Sequence, residues 1–282
     1  MELIVGKTAG FCFGVKNAVD NTIKELNNNK NIYCLGELVH NKQVTDELEK
    51  KGVKFIDNIS EAKGKVIIRA HGISKSIYEK AKNLNLDIID LTCPKVLQIH
   101  KIAEDFCKRG YYIFLIGKAS HPETIGTISF CGKNSYIIET EDDIQNAVNK
   151  YKSSKCVKAM SISQTTYSVE KFKAITQKLK EQIETLEIKN TICMATKLRQ
   201  EETKEIAKDV NLMIIIGGKN SSNSNKLYDI AKKYCHKVLF IENANELERQ
   251  KLKNIDRVGI MAGASTPKKS IDEVVDILQK KC

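Results

Sequence analysis

The chain has 282 residues, of which 41% are hydrophobic and 29% charged, a composition typical of a globular protein that buries apolar cores. No segment has the roughly 20 apolar residues that a membrane helix needs, and residues 1–10 lack the features of a signal peptide, so we expect a cytoplasmic protein without a membrane segment. We interpret most of the net charge of +11 as solvated surface. Charge alone does not choose among a polyanion, an acidic protein and a phosphorylated small molecule as the partner, but the aromatic content of 6% argues against a nucleic-acid-binding protein.

Short apolar segments alternate with amphipathic segments of helical length along the whole chain. Strands are predicted at 2–5, 31–35, 65–69, 86–90, 111–116, 135–138, 156–161, 185–189, 211–216, 238–241 and 256–261. Helices are predicted at 14–27, 74–84, 95–109, 168–181, 197–208 and 267–280, among others. This alternation is typical of parallel sheets covered by helices. About a dozen strands are too many for one open sheet of this length, so we predict several small α/β units.

Residues suited to chemistry follow many of these strands, where parallel α/β units bind their ligands. Cys12, Cys93 and Cys193 are separated by about one α/β unit each. We therefore expect three related units around one central site, each contributing one cysteine.

The same three cysteines stand apart from the other six because each lies at a predicted strand end or helix start. Free backbone N–H groups at such a position lower the pKa of a thiol. Three thiolates suit an iron–sulfur cluster or a zinc ion; the alternative is three unrelated small core residues, which spacing alone does not exclude. No CxxC pair is present, and a disulfide framework is not expected in the cytoplasm. We predict that a cluster would not need Cys34, Cys107, Cys131, Cys156, Cys235 or Cys282.

Three of the five histidines, His40, His71 and His121, also fall at predicted turns. They suit metal binding, phosphate binding or proton transfer. Glu123 follows in the first turn of a predicted helix, where it is either a favourable partner of the helix dipole or a proton-transfer group. For His100 and His236 we expect structural roles.

The segment GGKNSSNSN at 217–225 lies between a predicted strand and a predicted helix. Its amides, hydroxyls and backbone N–H groups favour a phosphate or diphosphate site, with a capped turn as the alternative. The segment is neither a Walker loop nor a GxGxxG motif, so a nucleotide is not specifically indicated. Thr165, Thr166 and Ser265 offer similar donors at other strand ends. Together these features predict a metal-centred pocket for a small phosphorylated substrate.

Several motifs occur in an order that resembles the 4-hydroxy-3-methylbut-2-enyl diphosphate reductase family over the full length of the chain. They are GFCFGV, HNKQV, RAHGIS, DLTCPKV, HPET, SQTT, TICMAT, KNSSNSN and AGAST. Asn17, where relatives often carry a basic residue, and Ser120, where glycine is frequent, depart from the family pattern without removing a functional side chain.

The resemblance implies an α/β fold of three small units with pseudo-threefold symmetry around a central [4Fe–4S] cluster. The units would be 13–93, 94–191 and 192–282, the last joined by the N-terminal strand 1–12. Cys12, Cys93 and Cys193 would be the cluster ligands, Glu123 the proton donor, and Thr165 and His121 its neighbours at the substrate. His40, His71, Ser221, Ser222, Asn223 and Ser265 would bind the diphosphate.

The implied reaction is the reductive dehydroxylation of 4-hydroxy-3-methylbut-2-enyl diphosphate to isopentenyl and dimethylallyl diphosphate, the last step of the non-mevalonate pathway. A ferredoxin or flavodoxin is the expected electron donor, since an acidic redox protein would suit the basic chain. The alternative is a zinc-dependent or metal-free phosphate-handling enzyme on the same α/β scaffold.

Overall fold

The computed structural model describes residues 1–28, 31–247, 252 and 255–280. The chain forms two compact units. The first comprises Met1–Lys16, Val39–Glu47 and Met194–Cys282, and the second comprises Asn17–Leu38 and Leu48–Cys193. Across the described residues, every helix is too short or too polar to cross a membrane.

Twelve strands lie within the described residues. They are β1 (Glu2–Val5), β2 (Ile32–Leu35), β3 (Val53–Ile56), β4 (Lys65–Ile68), β5 (Asp87–Asp90), β6 (Tyr112–Ile116), β7 (Ser135–Ile138), β8 (Ala159–Ser163), β9 (Leu186–Ile188), β10 (Leu212–Ile216), β11 (Val238–Ile241) and β12 (Arg257–Ala262).

Ten α-helices lie in the same part of the chain. They are α1 (Phe13–Asn28), α2 (Lys42–Lys50), α3 (Lys75–Asn83), α4 (Pro94–Lys108), α5 (Pro122–Ile128), α6 (Ile144–Lys152), α7 (Val169–Gln182), α8 (Met194–Lys208), α9 (Ser222–Tyr234) and α10 (Lys268–Gln279).

The strands form three four-stranded sheets in which every pairing is parallel. The first unit holds the sheet β1-β12-β10-β11, and the second holds β5-β4-β2-β3 and β9-β8-β6-β7. The strand order is the same in all three sheets when β1 is counted as the last strand of the first sheet, after β10, β11 and β12. This confirms the predicted α/β class with three sheets, one of them joined by the N-terminal strand. The boundaries 13–93, 94–191 and 192–282 remain a prediction.

Burial explains which strands could be predicted from the sequence. All five residues of β6 and of β10 are buried, because central parallel strands are covered on both faces and read as unbroken apolar runs. The sequence analysis missed β3, an edge strand whose four residues, VKFI, include the exposed Lys54. A strand this short, with a charged residue inside it, gives little apolar signal.

Candidate functional site

The three selected cysteines share one local geometry. Helices α1, α4 and α8 each begin at the residue after one of them, and Pro94 opens α4 with Cys93 as its N-cap residue. Each cysteine backbone N–H donates to a carbonyl just beyond the neighbouring strand of its sheet: Cys12 to Ala264 (3.1 Å), Cys93 to Ala70 (3.0 Å) and Cys193 to Thr165 (3.0 Å). None of the three forms a disulfide among the described residues, and all three residues are half-buried. Each of the three therefore lies at a helix start, one of the two kinds of position predicted for them.

Two side chains of α8 hold the turn that carries Cys12. The Arg199 guanidinium, on a residue only 4% exposed, donates to the Gly10 carbonyl over 2.6 Å. The Glu202 carboxylate accepts from the backbone N–H groups of Lys7 (2.6 Å) and Thr8 (2.8 Å). Sequence reasoning missed both contacts, because nearly two hundred residues separate the partners.

The other cysteines differ in their surroundings. Burial raises the pKa of the Cys34 and Cys131 thiols to about 12, which disfavours the thiolate that a metal needs. Cys235 is also buried, while Cys107 and Cys156 are half-buried beside apolar core residues. Cys282 lies outside the described residues.

Glu123 is buried in the first turn of α5 and is only 2% exposed. Its Oε1 accepts from the backbone N–H of Thr165 and its Oε2 lies against the Thr165 hydroxyl, both over 2.6 Å. Burial raises the pKa of this carboxyl to about 7, and the two contacts with Thr165 oppose that rise. Its neighbour His121 caps α5, accepting from the Glu123 backbone N–H through Nδ1 over 3.2 Å.

The two adjacent threonines of the SQTT motif have different hydrogen-bond partners in the structure. The Thr165 carbonyl accepts from Cys193 while its hydroxyl contacts Glu123, so one residue joins the acid to a cysteine turn. The Thr166 hydroxyl instead accepts from the Gln164 amide over 2.8 Å, which gives it a structural partner. His71 lies edge-on to His121 in the same unit, with ring centroids 5.4 Å apart.

In the first unit, the polar segment before α9 meets two other loops. Ser221 caps α9, accepting from the Ser224 N–H over 3.3 Å, and the Ser265 hydroxyl donates to the His40 carbonyl over 3.0 Å. A Cβ added at Gly218 would lie 2.8 Å from that same carbonyl, so glycine is needed for the close approach. The structure therefore brings together four predicted diphosphate ligands, His40, Ser221, Asn223 and Ser265, at adjoining turns of this unit. Ser222 opens α9 beside them.

Asn223 is the informative member of this group. It is 3% exposed, and neither its amide nitrogen nor its amide oxygen has a hydrogen-bond partner within the described part of the chain. A buried amide in this condition costs on the order of 1–3 kcal/mol. A ligand that accepts from and donates to this amide would remove that cost.

The remaining histidines lie elsewhere. His100 is buried in α4 and stacked on Phe130 at 4.3 Å between ring centroids, and burial lowers its pKa to about 4. His236 is exposed after α9. The structural roles expected for these two histidines remain predictions.

The family model described as LytB protein matches residues 3–279. The chain belongs to this family. Among LytB relatives, the 4-hydroxy-3-methylbut-2-enyl diphosphate reductase of Alkaliphilus oremlandii is 41% identical over 98% of both chains, and that of Clostridioides difficile is 40% identical over 99% of both.

Two solved LytB-like structures cover 99% of this chain. The E-1-hydroxy-2-methyl-but-2-enyl-4-diphosphate reductase from Plasmodium falciparum matches with a TM-score of 0.92 at 32% identity, over 88% of its own chain. A structure of (E)-4-hydroxy-3-methyl-but-2-enyl diphosphate reductase, described as the terminal enzyme of the non-mevalonate pathway, matches with a TM-score of 0.72 at 38% identity, over its full length.

Proposed function

We propose that this chain reduces 4-hydroxy-3-methylbut-2-enyl diphosphate, the activity for which its relatives are named, and that the products are isopentenyl and dimethylallyl diphosphate. The observation that carries the proposal is the contact chain through Thr165. It joins a buried carboxyl whose pKa lies near neutral pH to the turn of a cysteine ligand. A proton donor beside a metal ligand is the arrangement that loss of a hydroxyl group as water requires.

We assign Cys12, Cys93 and Cys193 as the ligands of a [4Fe–4S] cluster. The residues fit this group, because three half-buried cysteines outside disulfides each precede a helix whose N-terminal end stabilises negative sulfur. When bound, the cluster supplies electrons to the substrate and a Lewis-acidic iron. The family names support a reductase, and the cysteine geometry supports a cluster of three protein ligands.

The side chains of this protein contribute a proton to the reaction and fix the orientation of the group that donates it. The conversion replaces a C–O bond with a C–H bond and consumes two electrons and two protons, releasing water. In its protonated form, which the raised pKa of about 7 keeps populated near neutral pH, Glu123 delivers a proton to the departing hydroxyl, so that water leaves in place of hydroxide. The Thr165 hydroxyl fixes the orientation of this carboxyl, and His121 caps the helix that carries it.

The diphosphate is bound by donors at several turns. Asn223, Ser221, Ser222 and Ser265 offer an amide and hydroxyls, and His40, His71 and His121 offer ring nitrogens. Anchoring the diphosphate lowers the entropic part of the barrier, because it holds the reacting carbon in one place. The unpartnered Asn223 amide is the strongest support for this assignment.

A small acidic redox protein, a ferredoxin or a flavodoxin, is the electron donor that suits a chain of net charge +11. We propose both this electron donor and a cytoplasmic location for the protein.

Anaerobic purification tests the function directly. We expect about four iron atoms and four sulfides per chain, a broad visible absorbance, and conversion of the diphosphate alcohol with dithionite and methyl viologen as reductants. A zinc-containing or metal-free phosphate enzyme would be colourless. Failure to reconstitute with iron and sulfide would leave the fold intact and overturn the reductase.

A further inference from the structure

A polar side chain holds the backbone directly ahead of one proposed cluster ligand, Cys93. Asp90 ends β5, and its Oδ1 accepts from the backbone N–H of Thr92 over 2.9 Å. A turn closed in this way by an aspartate or asparagine side chain fixes the backbone that follows it. The Tyr78 hydroxyl of α3 donates to Oδ2 of the same carboxylate over 2.7 Å, so the carboxylate is itself held in place. Asp90 therefore fixes the segment that leads into Cys93.

The turn ahead of a second proposed ligand, Cys193, repeats this geometry. Asn190 also lies three residues before its cysteine, and its Oδ1 accepts from the backbone N–H of Ile192 over 3.1 Å. Asp90 and Asn190 are both exposed, and a helix begins directly after the cysteine in both places. The two turns share one hydrogen-bonding pattern and differ in charge, because Asp90 is a carboxylate and Asn190 is a neutral amide.

The turn that carries Cys12 is held by a carboxylate from another element. Glu202 of α8 accepts from the backbone N–H groups of Lys7 and Thr8, which lie shortly before Cys12 in the chain. Carboxylates therefore hold the backbone ahead of Cys12 and Cys93, whereas an amide holds it ahead of Cys193. This difference between otherwise similar turns suggests that charge at these positions has a consequence for the metal.

A charge this close to a metal ligand changes how readily the metal is reduced. The Cα atoms of Asp90 and Cys93 are at most about 11 Å apart, because only three residues separate them. Net charge and hydrogen bonds around the ligands of an iron–sulfur cluster set its reduction potential, and a negative charge lowers that potential because it disfavours an added electron. Water and salt screen an exposed carboxylate, so the shift should be modest.

We propose that Asp90 and Asn190 are positioning residues that fix the Cys93 and Cys193 turns, and that the charge of Asp90 lowers the reduction potential of the bound cluster. The inference rests on the proposed function, because it needs a cluster bound by these cysteines. Both side chains supply an acceptor oxygen, and only Asp90 supplies a charge. Exchange of aspartate and asparagine therefore separates the two contributions.

The charge is tested by redox titration of the cluster-loaded enzyme, purified anaerobically and followed by visible absorbance. Asp90→Asn keeps the acceptor oxygen and removes the charge, so the ratio of reduced to oxidised cluster at the wild-type midpoint should rise about threefold. Asn190→Asp adds the charge and should lower this ratio by a similar factor. The control is Asp87→Asn, which removes an exposed charge at the other end of β5 and should leave the midpoint near that of wild type.

The positioning role is tested by the rate at which a chelator removes iron. Asp90→Ala and Asn190→Ala lose the oxygen that holds the turn, so iron should leave several times faster than from wild type. Asp90→Asn and Asn190→Asp keep that oxygen and should release iron at the wild-type rate. Wild-type rates in both alanine variants would overturn the positioning role. Equal midpoints in wild type, Asp90→Asn and Asn190→Asp would overturn the effect of charge.

Failure of this inference can be distinguished from failure of the proposed function. A wild-type chain that cannot be loaded with iron and sulfide would overturn the proposed function, and this inference with it. A wild-type chain that carries a cluster and reduces the diphosphate substrate, with the same midpoint and the same iron release in every variant, would overturn this inference alone.

Discussion

Glu123 shows how burial alone changes the chemistry of a side chain. A carboxyl in water has a pKa of about 4.3, and burial raises that of Glu123 to about 7 against the opposing contacts with Thr165. In our proposal the protonated form of Glu123 is the proton donor, so activity should be present below this pKa and lost above it. We therefore expect wild-type kcat to decline by up to about tenfold per pH unit above pH 7.

The variant Glu123→Gln separates this group from its neighbours. Glutamine keeps the shape and both contacts with Thr165 but cannot donate a proton, so kcat should fall by about 100-fold or more while iron content stays constant. The control is Glu184→Gln, at an exposed position. A decline above pH 7 that persists unchanged in Glu123→Gln would assign the titration to His71 or His121, which lie in the same unit.

Asn223 is the second residue whose surroundings predict its role. Its buried amide has no partner among the described residues, so in our proposal the bound diphosphate accepts a hydrogen bond from the Asn223 Nδ2 group. Asn223→Ala should raise KM for the diphosphate substrate by about tenfold with a smaller change in kcat, while Asn134→Ala, at an exposed position of the other unit, should leave both near wild type. Unchanged KM in Asn223→Ala would remove this residue from the binding site.

At the level of elements, the three helices that begin after a cysteine make a prediction about metal content. Cys12→Ser, Cys93→Ser and Cys193→Ser should each abolish the visible absorbance, because serine supplies no thiolate to bind the metal. Cys107→Ser and Cys156→Ser are matched controls, since both residues are also half-buried. Loss of iron in either control, with the fold intact, would refute the choice of ligands.

The contact between α8 and the segment before α1 positions one of these cysteines. Arg199→Lys keeps the positive charge but loses the planar group that reaches the Gly10 carbonyl, so the Cys12 turn should become looser. We expect a chelator to remove iron from Arg199→Lys several times faster than from wild type. The decay of the visible absorbance measures this rate. Arg109→Lys, at an exposed position of α4 near Asp105, is the control; equal decay rates in all three proteins would contradict the positioning role.

For the whole molecule, the proposed cluster would couple metal binding to folding, because it would bind the folded chain and not the unfolded one. Removing the cluster anaerobically should therefore lower the Tm by about 5 °C or more. The measurement is calorimetry before and after chelation. Cys193→Ser serves as the control, since chelation should leave its Tm unchanged. A Tm that does not respond to chelation in wild type would show that no cluster stabilises the fold.

Comparing the predicted elements with those in the structure shows how much of the fold could be predicted from the sequence. Unbroken apolar runs such as β6 and β10 were placed within a residue or so, because burial on both faces leaves a strong local signal. The start of α8 was predicted at 197 and lies at 194, since Met194 is exposed and gives no periodic signal. The repeated strand order of the three sheets became visible only in the structure, because similar topology does not require similar residues.

The sequence by itself determined the α/β class, the position of each selected cysteine before a helix and the basic character of the chain. These properties depend on neighbours close in the chain or on composition. Only the tertiary structure decided that Glu123 is buried against Thr165, 42 residues away, that Arg199 reaches Gly10, and that the Asn223 amide is unpartnered within the described chain. Desolvation and long-range hydrogen bonds arise from packing, and packing joins residues whose separation in the chain leaves no local pattern.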